Sequence, residues 1–187
     1  EIQDILVLKN NKGTEDNRVR KLDYSIQLSK LFYERFIKND SITLFSPHDV
    51  PGLYDSFGSD TFDELYTRYE SDESIPKSTI GAQELILSLL KERAETGRIY
   101  IMNIDHCNEH SSFKDKVYMS NLCQEITLPT DPIEHIDGEG EIALCILSAI
   151  NVGKINKVED MEELCDLSVR ALEELIDYQR YPVRAAE

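Results

Sequence analysis

Apolar residues fall in short groups along the chain, and the spacing within each group predicts the element it builds. Ile2, Ile5, Leu6 and Val7 make one face of a short helix that Asn10-Asn11-Lys12-Gly13 stops. Thr14 to Arg20 mixes both charges and reads as a solvated loop. Leu22, Tyr24, Ile26 and Leu28 then alternate with Asp23, Ser25 and Gln27, the period of a half-buried strand. Lys30 to Lys38 reads as helix, with Leu31, Phe32 and Phe36 on or near one side. Ile42 to Phe45 is a second short strand, and Ser46-Pro47-His48-Asp49-Val50-Pro51-Gly52 a stiff turn.

Phe62, Leu65, Tyr66 and Tyr69 return at helical spacing, with Thr61 and Glu64 placed to form a capping box. Ile80 to Ala94 reads as a long helix, and Gly97 stands where a C-terminal stop belongs. Arg98 to Ile104 is strand-like, and Asp105 to Met119 reads as a loop leading into a cysteine-bearing segment. A strand is expected from Ile142 to Ile150, then a helix from Glu159 to about Tyr178. That helix would bury Met161, Leu164, Cys165, Leu172, Leu175 and Ile176, making Cys165 core. Strands alternating with helices, over connections long enough for crossovers, indicate an α/β fold. Right-handed crossovers put strand ends on one side, where a site can gather. No internal repeat, low-complexity tract or linker interrupts the pattern.

The 187 residues suffice for one domain with a real core, and 41% hydrophobic content makes the chain globular. No apolar run approaches the roughly 20 residues of a membrane span, and no signal-peptide pattern opens the chain. A net charge of −16 without a basic cluster argues against a nucleic-acid partner, though a local pocket can still take a nucleotide. Four cysteines, Cys107, Cys123, Cys145 and Cys165, are too few for a disulfide scaffold. They fit a reducing compartment, and the cytoplasm is expected.

The chemistry concentrates between Ser120 and Asn151. Asn121, Cys123 and Glu125 occupy alternate positions, so an extended backbone would aim an amide, a thiol and a carboxylate into one space. Taken singly, each has a plainer reading. A cysteine is commonly a small buried hydrophobe, Glu125 could be a solvated carboxylate, and Cys145 could be core beside Ile142, Leu144 and Ile146.

The wider motif changes that balance. Ser120-Asn121-Leu122-Cys123-x-Glu125-Ile126-x-Leu128-Pro129-Thr130, followed by Gly140-Glu141-Ile142-Ala143-Leu144-Cys145-x-Leu147-Ser148-Ala149-x-Asn151, resembles the large, catalytic subunit of class I ribonucleotide reductase. The resemblance takes in Leu6 to Asn11, Phe45 to Leu53, Glu92 to Ile101 and Asp105-His106-Cys107-Asn108-x-His110-Ser111. So ordered and dispersed a pattern is highly specific. It implies that residues 1–187 are part of a ten-stranded α/β barrel whose central finger loop carries Cys123.

It also implies a role for each residue. Cys123 matches the cysteine that becomes a thiyl radical and takes hydrogen from C3′ of the ribose. Glu125 matches the carboxylate that takes the 3′-hydroxyl proton, and Asn121 the amide that holds the substrate hydroxyls. Cys145 matches one half of the dithiol that reduces the radical intermediate and ends as a disulfide. The implied substrate is a ribonucleoside diphosphate, with no cofactor or metal held by this chain. The radical would come from a diiron-type small subunit, and electrons from thioredoxin or glutaredoxin. No nucleic acid or membrane is implied.

Several parts of the family pattern are absent from these 187 residues: the other reducing cysteine, the radical-relay tyrosines, the diphosphate loop, the tail dithiol and the allosteric sites. The first residue is Glu1 and the last are Arg184-Ala185-Ala186-Glu187, with no closing element. Either an excised portion of a larger catalytic subunit or one product of a split gene, inactive alone, is therefore expected. It would be completed by the remaining parts of that subunit, and a barrel fragment would leave a sheet edge exposed.

Two other readings compete. His106 and His110, four apart with Cys107 between, could supply three zinc ligands, but no second ligand cluster exists. A non-catalytic module would use the acidic surface as its contact, and nothing beyond composition favours it. The reductase reading expects Cys123 within about 10 Å of Cys145, the scale of a shared substrate-sized pocket.

Overall fold

The structure is a computed structural model that describes every residue except Glu1, Asn11, Gly13, Arg18, Arg20 and Glu187. The stop expected at Asn11 and Gly13, and the loop positions Arg18 and Arg20, therefore lie outside the described residues. The chain forms two compact units, residues 1–129 and 130–187.

The first unit is α/β. A short helix α1 (Ile2–Leu6) precedes β1 (Ser25–Leu28), α2 (Lys30–Lys38) and β2 (Ser41–Phe45). Then come α3 (Leu53–Ser56), α4 (Thr61–Ser71), β3 (Lys77–Gly81), α5 (Ala82–Thr96), β4 (Tyr100–Asn103) and α6 (Ile104–Glu109). β1 pairs in parallel with β4, from Ser25 opposite Tyr100 to Leu28 opposite Asn103. β2 pairs antiparallel with β3, from Ser41 opposite Gly81 to Phe45 opposite Lys77. Among the described residues these are two separate two-stranded sheets, and no barrel closes.

Local chemistry sets the ends of α2. The Ser29 hydroxyl accepts the Phe32 N–H at 3.3 Å, satisfying one orphan donor of the first turn. Asn39 closes the helix in the left-handed conformation, φ 56°, which its short polar side chain tolerates. α5 presents Ala82, Leu85, Ile86 and Leu89 to a core completed by Leu6, Leu28, Phe32, Ile80 and Ile99. Gly97 ends it at φ 68°, as the sequence predicts.

Four expectations in this unit are corrected. β1 is shorter than the alternation: its ladder with β4 begins at Ser25, just after the Tyr24 carbonyl accepts the Tyr100 N–H at 3.2 Å. α5 starts at Ala82, since Ile80 is drawn into pairing with Ile42 across β2 and β3. The capping box does not form: Asp60 is the N-cap, without a side-chain bond, and Thr61 is already helical. Residues 104–109, expected as the end of a strand and the start of a loop, form α6.

The second unit holds one long helix, α7 (Asp160–Tyr178). Residues 142–150 form no strand, because no neighbouring backbone pairs with them, and Leu147 is 81% exposed. α7 buries none of its residues, and Cys165 is exposed, contrary to its expected place in a core. Its apolar stripe is present, but nothing in the unit fully covers it. Among the described residues, no helix is long and apolar enough to cross a membrane.

Candidate functional site

Cys123 sits in a tight turn rather than an extended run. The Gln124 N–H donates to the Asn121 carbonyl at 3.2 Å, and Gln124 adopts φ 64°. The base of the turn is closed twice: the Asn121 N–H donates to the Ile126 carbonyl at 3.3 Å, and the Ile126 N–H to Asn121 Oδ1 at 3.0 Å. The period-two argument for Asn121, Cys123 and Glu125 therefore fails, because alternation requires an extended backbone. The three residues instead lie along a turn closed between Asn121 and Ile126. Asn121 is half-buried at its base, while Cys123 and Glu125 are exposed.

These bonds also orient Asn121. Its Oδ1 already accepts the Ile126 N–H, which fixes the amide plane from which the Nδ2 hydrogens can donate. Gln124 carries two costs. A left-handed conformation disfavours a residue with a Cβ by roughly 1–2 kcal/mol. Its Nε2 is also shielded from water with no hydrogen-bond partner, alone in that respect among described side-chain atoms. The residue next to the Cys123 thiol is thus held in an unfavourable conformation.

The chain enters this turn from a pinned segment. Val117 is fully buried against Met102 and Ile104, with Phe57 and Cys107 packed alongside. Burial in this cluster pushes the Cys107 thiol above its ordinary value, so it stays protonated. Asp105 accepts the Lys30 N–H at 2.6 Å, joining α6 to the first turn of α2.

The imidazoles of His106 and His110 lie 6.0 Å apart, centre to centre, and both residues are exposed. Among the described residues, no group of three His, Cys, Asp or Glu side chains is placed to hold a metal ion. The side chain between them that does connect elements is Asn108, which bonds to Val117. The sequence marks Asn108 only as part of a matched motif and Gln27 only as a polar strand position; their bonds to the segment before Cys123 appear only in the structure.

Cys145 belongs to the second unit, in the irregular run 142–150, and is exposed. An apolar cleft of about 870 Å³ in the first unit is lined by Phe45, Pro47, Val50, Leu53, Phe57 and Phe62, among others. Neither Cys123 nor Glu125 lines it.

An α/β unit that carries an exposed thiol and carboxylate on one turn has a counterpart among known proteins. The family described as ribonucleotide reductase, barrel domain, matches residues 1–187, and the chain belongs to it. Ribonucleoside-diphosphate reductase subunit alpha of Haemophilus influenzae is 58% identical over 193 residues, taking in 100% of this chain and 26% of that protein. The subunit alpha of Enterobacteria phage T4 is 47% identical over 195 residues, with 100% of this chain and 26% of that protein covered. The large subunit of Plasmodium falciparum is 34% identical over 196 residues, again with 100% of this chain and 23% of the relative. The chain thus spans about a quarter of the length of the curated relatives it matches.

Proposed function

We propose that this chain is part of the catalytic subunit of a ribonucleoside-diphosphate reductase, contributing to a ten-stranded α/β barrel in which the Cys123 turn is the finger loop. What chiefly supports the reading is the turn: Cys123 and Glu125 stand exposed on it, with Asn121 closing its base. Its substrate is a ribonucleoside diphosphate, and its setting the cytoplasm. The radical arrives from a small subunit with a diiron-type cofactor, and thioredoxin or glutaredoxin restores the dithiol. The chain alone does not turn over; the remaining parts of the catalytic subunit complete it.

In this reading the Cys123 sulfur radical takes the C3′ hydrogen, forming an S–H bond and leaving a carbon radical on the ribose. Glu125 accepts the 3′-hydroxyl proton, which assists loss of the C2′ hydroxyl as water. Cys145 and a second thiol outside this chain supply two electrons and two protons and end as a disulfide. Cys123 then returns its hydrogen to C3′. The Asn121 Nδ2 donor positions the ribose hydroxyls, and such positioning lowers the barrier without taking part in bond making.

Glu125→Gln in the complete enzyme tests the assignment. The amide keeps the shape and hydrogen-bonding capacity but loses the base, so kcat should fall by roughly 10²–10⁴ with substrate affinity little changed. Cys123→Ser should abolish turnover, since a hydroxyl hydrogen is too strongly bound for the radical relay. A Gln variant retaining more than about half of the wild-type kcat ends the general-base role, because even the weak end of that range is far larger.

A further inference from the structure

The segment just before the Cys123 turn is held by side chains, not by a sheet. Val117 has both backbone polar groups bonded to one amide: its N–H donates to Asn108 Oδ1 at 2.9 Å, and its carbonyl accepts from Asn108 Nδ2 at 3.0 Å. Asn108 thereby imitates a paired strand for a residue that has none. The same Nδ2 reaches the Ile104 carbonyl at 3.1 Å, which ties the amide to its own helix and fixes its rotamer. One residue on, the Tyr118 carbonyl accepts from Gln27 Nε2 of β1 at 2.8 Å. Lys116 donates to the Asp55 carbonyl at the end of α3, and its ammonium lies 4.6 Å from the Tyr118 ring centre.

Three elements therefore grip residues 116–118. Beyond them, Met119 is 63% exposed, and the next hydrogen bonds are those of the turn itself. Gly58 keeps the space open: at φ +78°, a Cβ there would lie 2.6 Å from Ile104 Cγ1 and 3.1 Å from Asn108 Nδ2.

We propose that Asn108 and Gln27 are positioning residues for the reductase reaction, anchoring the base of the Cys123 turn so that thiol and carboxylate project to a fixed place. The proposal rests on the reading of Cys123 given above. The reach involved is decisive. Cys123 lies five positions beyond Tyr118, a tether of up to roughly 17 Å. An error near 1 Å in the placement of a reacting group can cost about 10²-fold in rate. Without the anchors, the turn would keep its internal bonds yet lose its address.

Asn108→Asp keeps the acceptor for the Val117 N–H and removes both donations; Gln27→Met keeps length at a half-buried position and removes the donor to Tyr118. Two readouts are taken for each variant: amide hydrogen exchange across residues 117–126 and across α5 in this chain, and kcat and KM in the complete enzyme. Expected are exchange about tenfold faster in 117–126 with α5 unchanged, and kcat lower by roughly 10–100-fold with KM within about twofold. Loss of protection in α5 as well would mark a general loss of structure and overturn the proposal for Asn108, leaving Gln27→Met to decide it for the turn. Unchanged exchange in 117–126 overturns it outright. Faster exchange with unchanged kcat, while Cys123→Ser is inactive, overturns the positioning role and leaves the assignment of Cys123 standing. Turnover that survives Cys123→Ser removes that assignment, and the proposal with it.

Discussion

Arg35 and Glu70 show how single side chains fasten this fold. The guanidinium meets the carboxylate through two bonds, Nη1 to Oε1 at 2.6 Å and Nη2 to Oε2 at 2.5 Å, and Thr43 Oγ1 adds a third to Oε1. Beside them the Tyr66 hydroxyl accepts the Thr43 N–H and donates to the Thr43 carbonyl, each at 2.7 Å, sealing a buried stretch of β2. The Arg35 bond holds the Glu70 carboxyl below its ordinary value of 4.5. A depressed carboxyl stabilises the fold fully above the unfolded value and loses that contribution as pH falls through the native one. Glu70→Gln should therefore cost about 1 kcal/mol near neutral pH, a modest figure because the pair is partly exposed and screened. The gap between wild type and variant should shrink below about pH 4.5, measured by urea unfolding at several pH values. A gap that stays constant to about pH 3 would remove the ion pair as its cause. At this scale the sequence was legible for identity but not partnership: Cys123, Glu125 and Asn121 stand out in their motif, whereas the bond from Ile126 to Asn121 Oδ1 exists only once the turn forms.

Elements were legible where their determinants are local. α2 runs over the residues its pattern marks, because Ser29 and Asn39 supply both caps within the segment. β3 was missed because Lys77 to Gly81 is a strand only by virtue of β2 alongside it. The run 142–150 fails in the opposite sense: its apolar residues read as a strand, yet no partner stands beside it. Apolar composition therefore says little about energetic weight until burial is known. Leu89 is 1% exposed on α5, and Leu89→Ala should cost about 3 kcal/mol. Leu147 is 81% exposed, and Leu147→Ala should change stability by less than about 0.5 kcal/mol. Chemical denaturation of the two variants checks the contrast, and comparable losses would show that Leu147 is packed in solution.

For the whole molecule, the state of the four thiols tests the proposed redox role. All four are free: Cys107 half-buried, Cys123, Cys145 and Cys165 exposed. If Cys145 works with a second thiol outside this chain, mild oxidation should leave it unpaired here. Thiol titration with peptide mapping should find no stoichiometric bridge from Cys145 to Cys107 or Cys165. Such a bridge in folded material would replace the external partner with an internal one.

The order of residues by itself determined the α/β class, the ends of α2, the stop of α5 at Gly97, and the motif that led to the family, because each depends on neighbours within a few positions. Tertiary structure alone decided the pairing of β2 with β3, the helix α6 in place of a loop, and the turn at Cys123 in place of an extended run. It also decided that Asn108 and Gln27 hold the approach to that turn. The physical reason is common to all of these. A hydrogen bond across 91 residues, such as Gln27 to Tyr118, leaves no periodicity in the sequence, and a backbone group's partner is fixed only when the chain has brought one within reach.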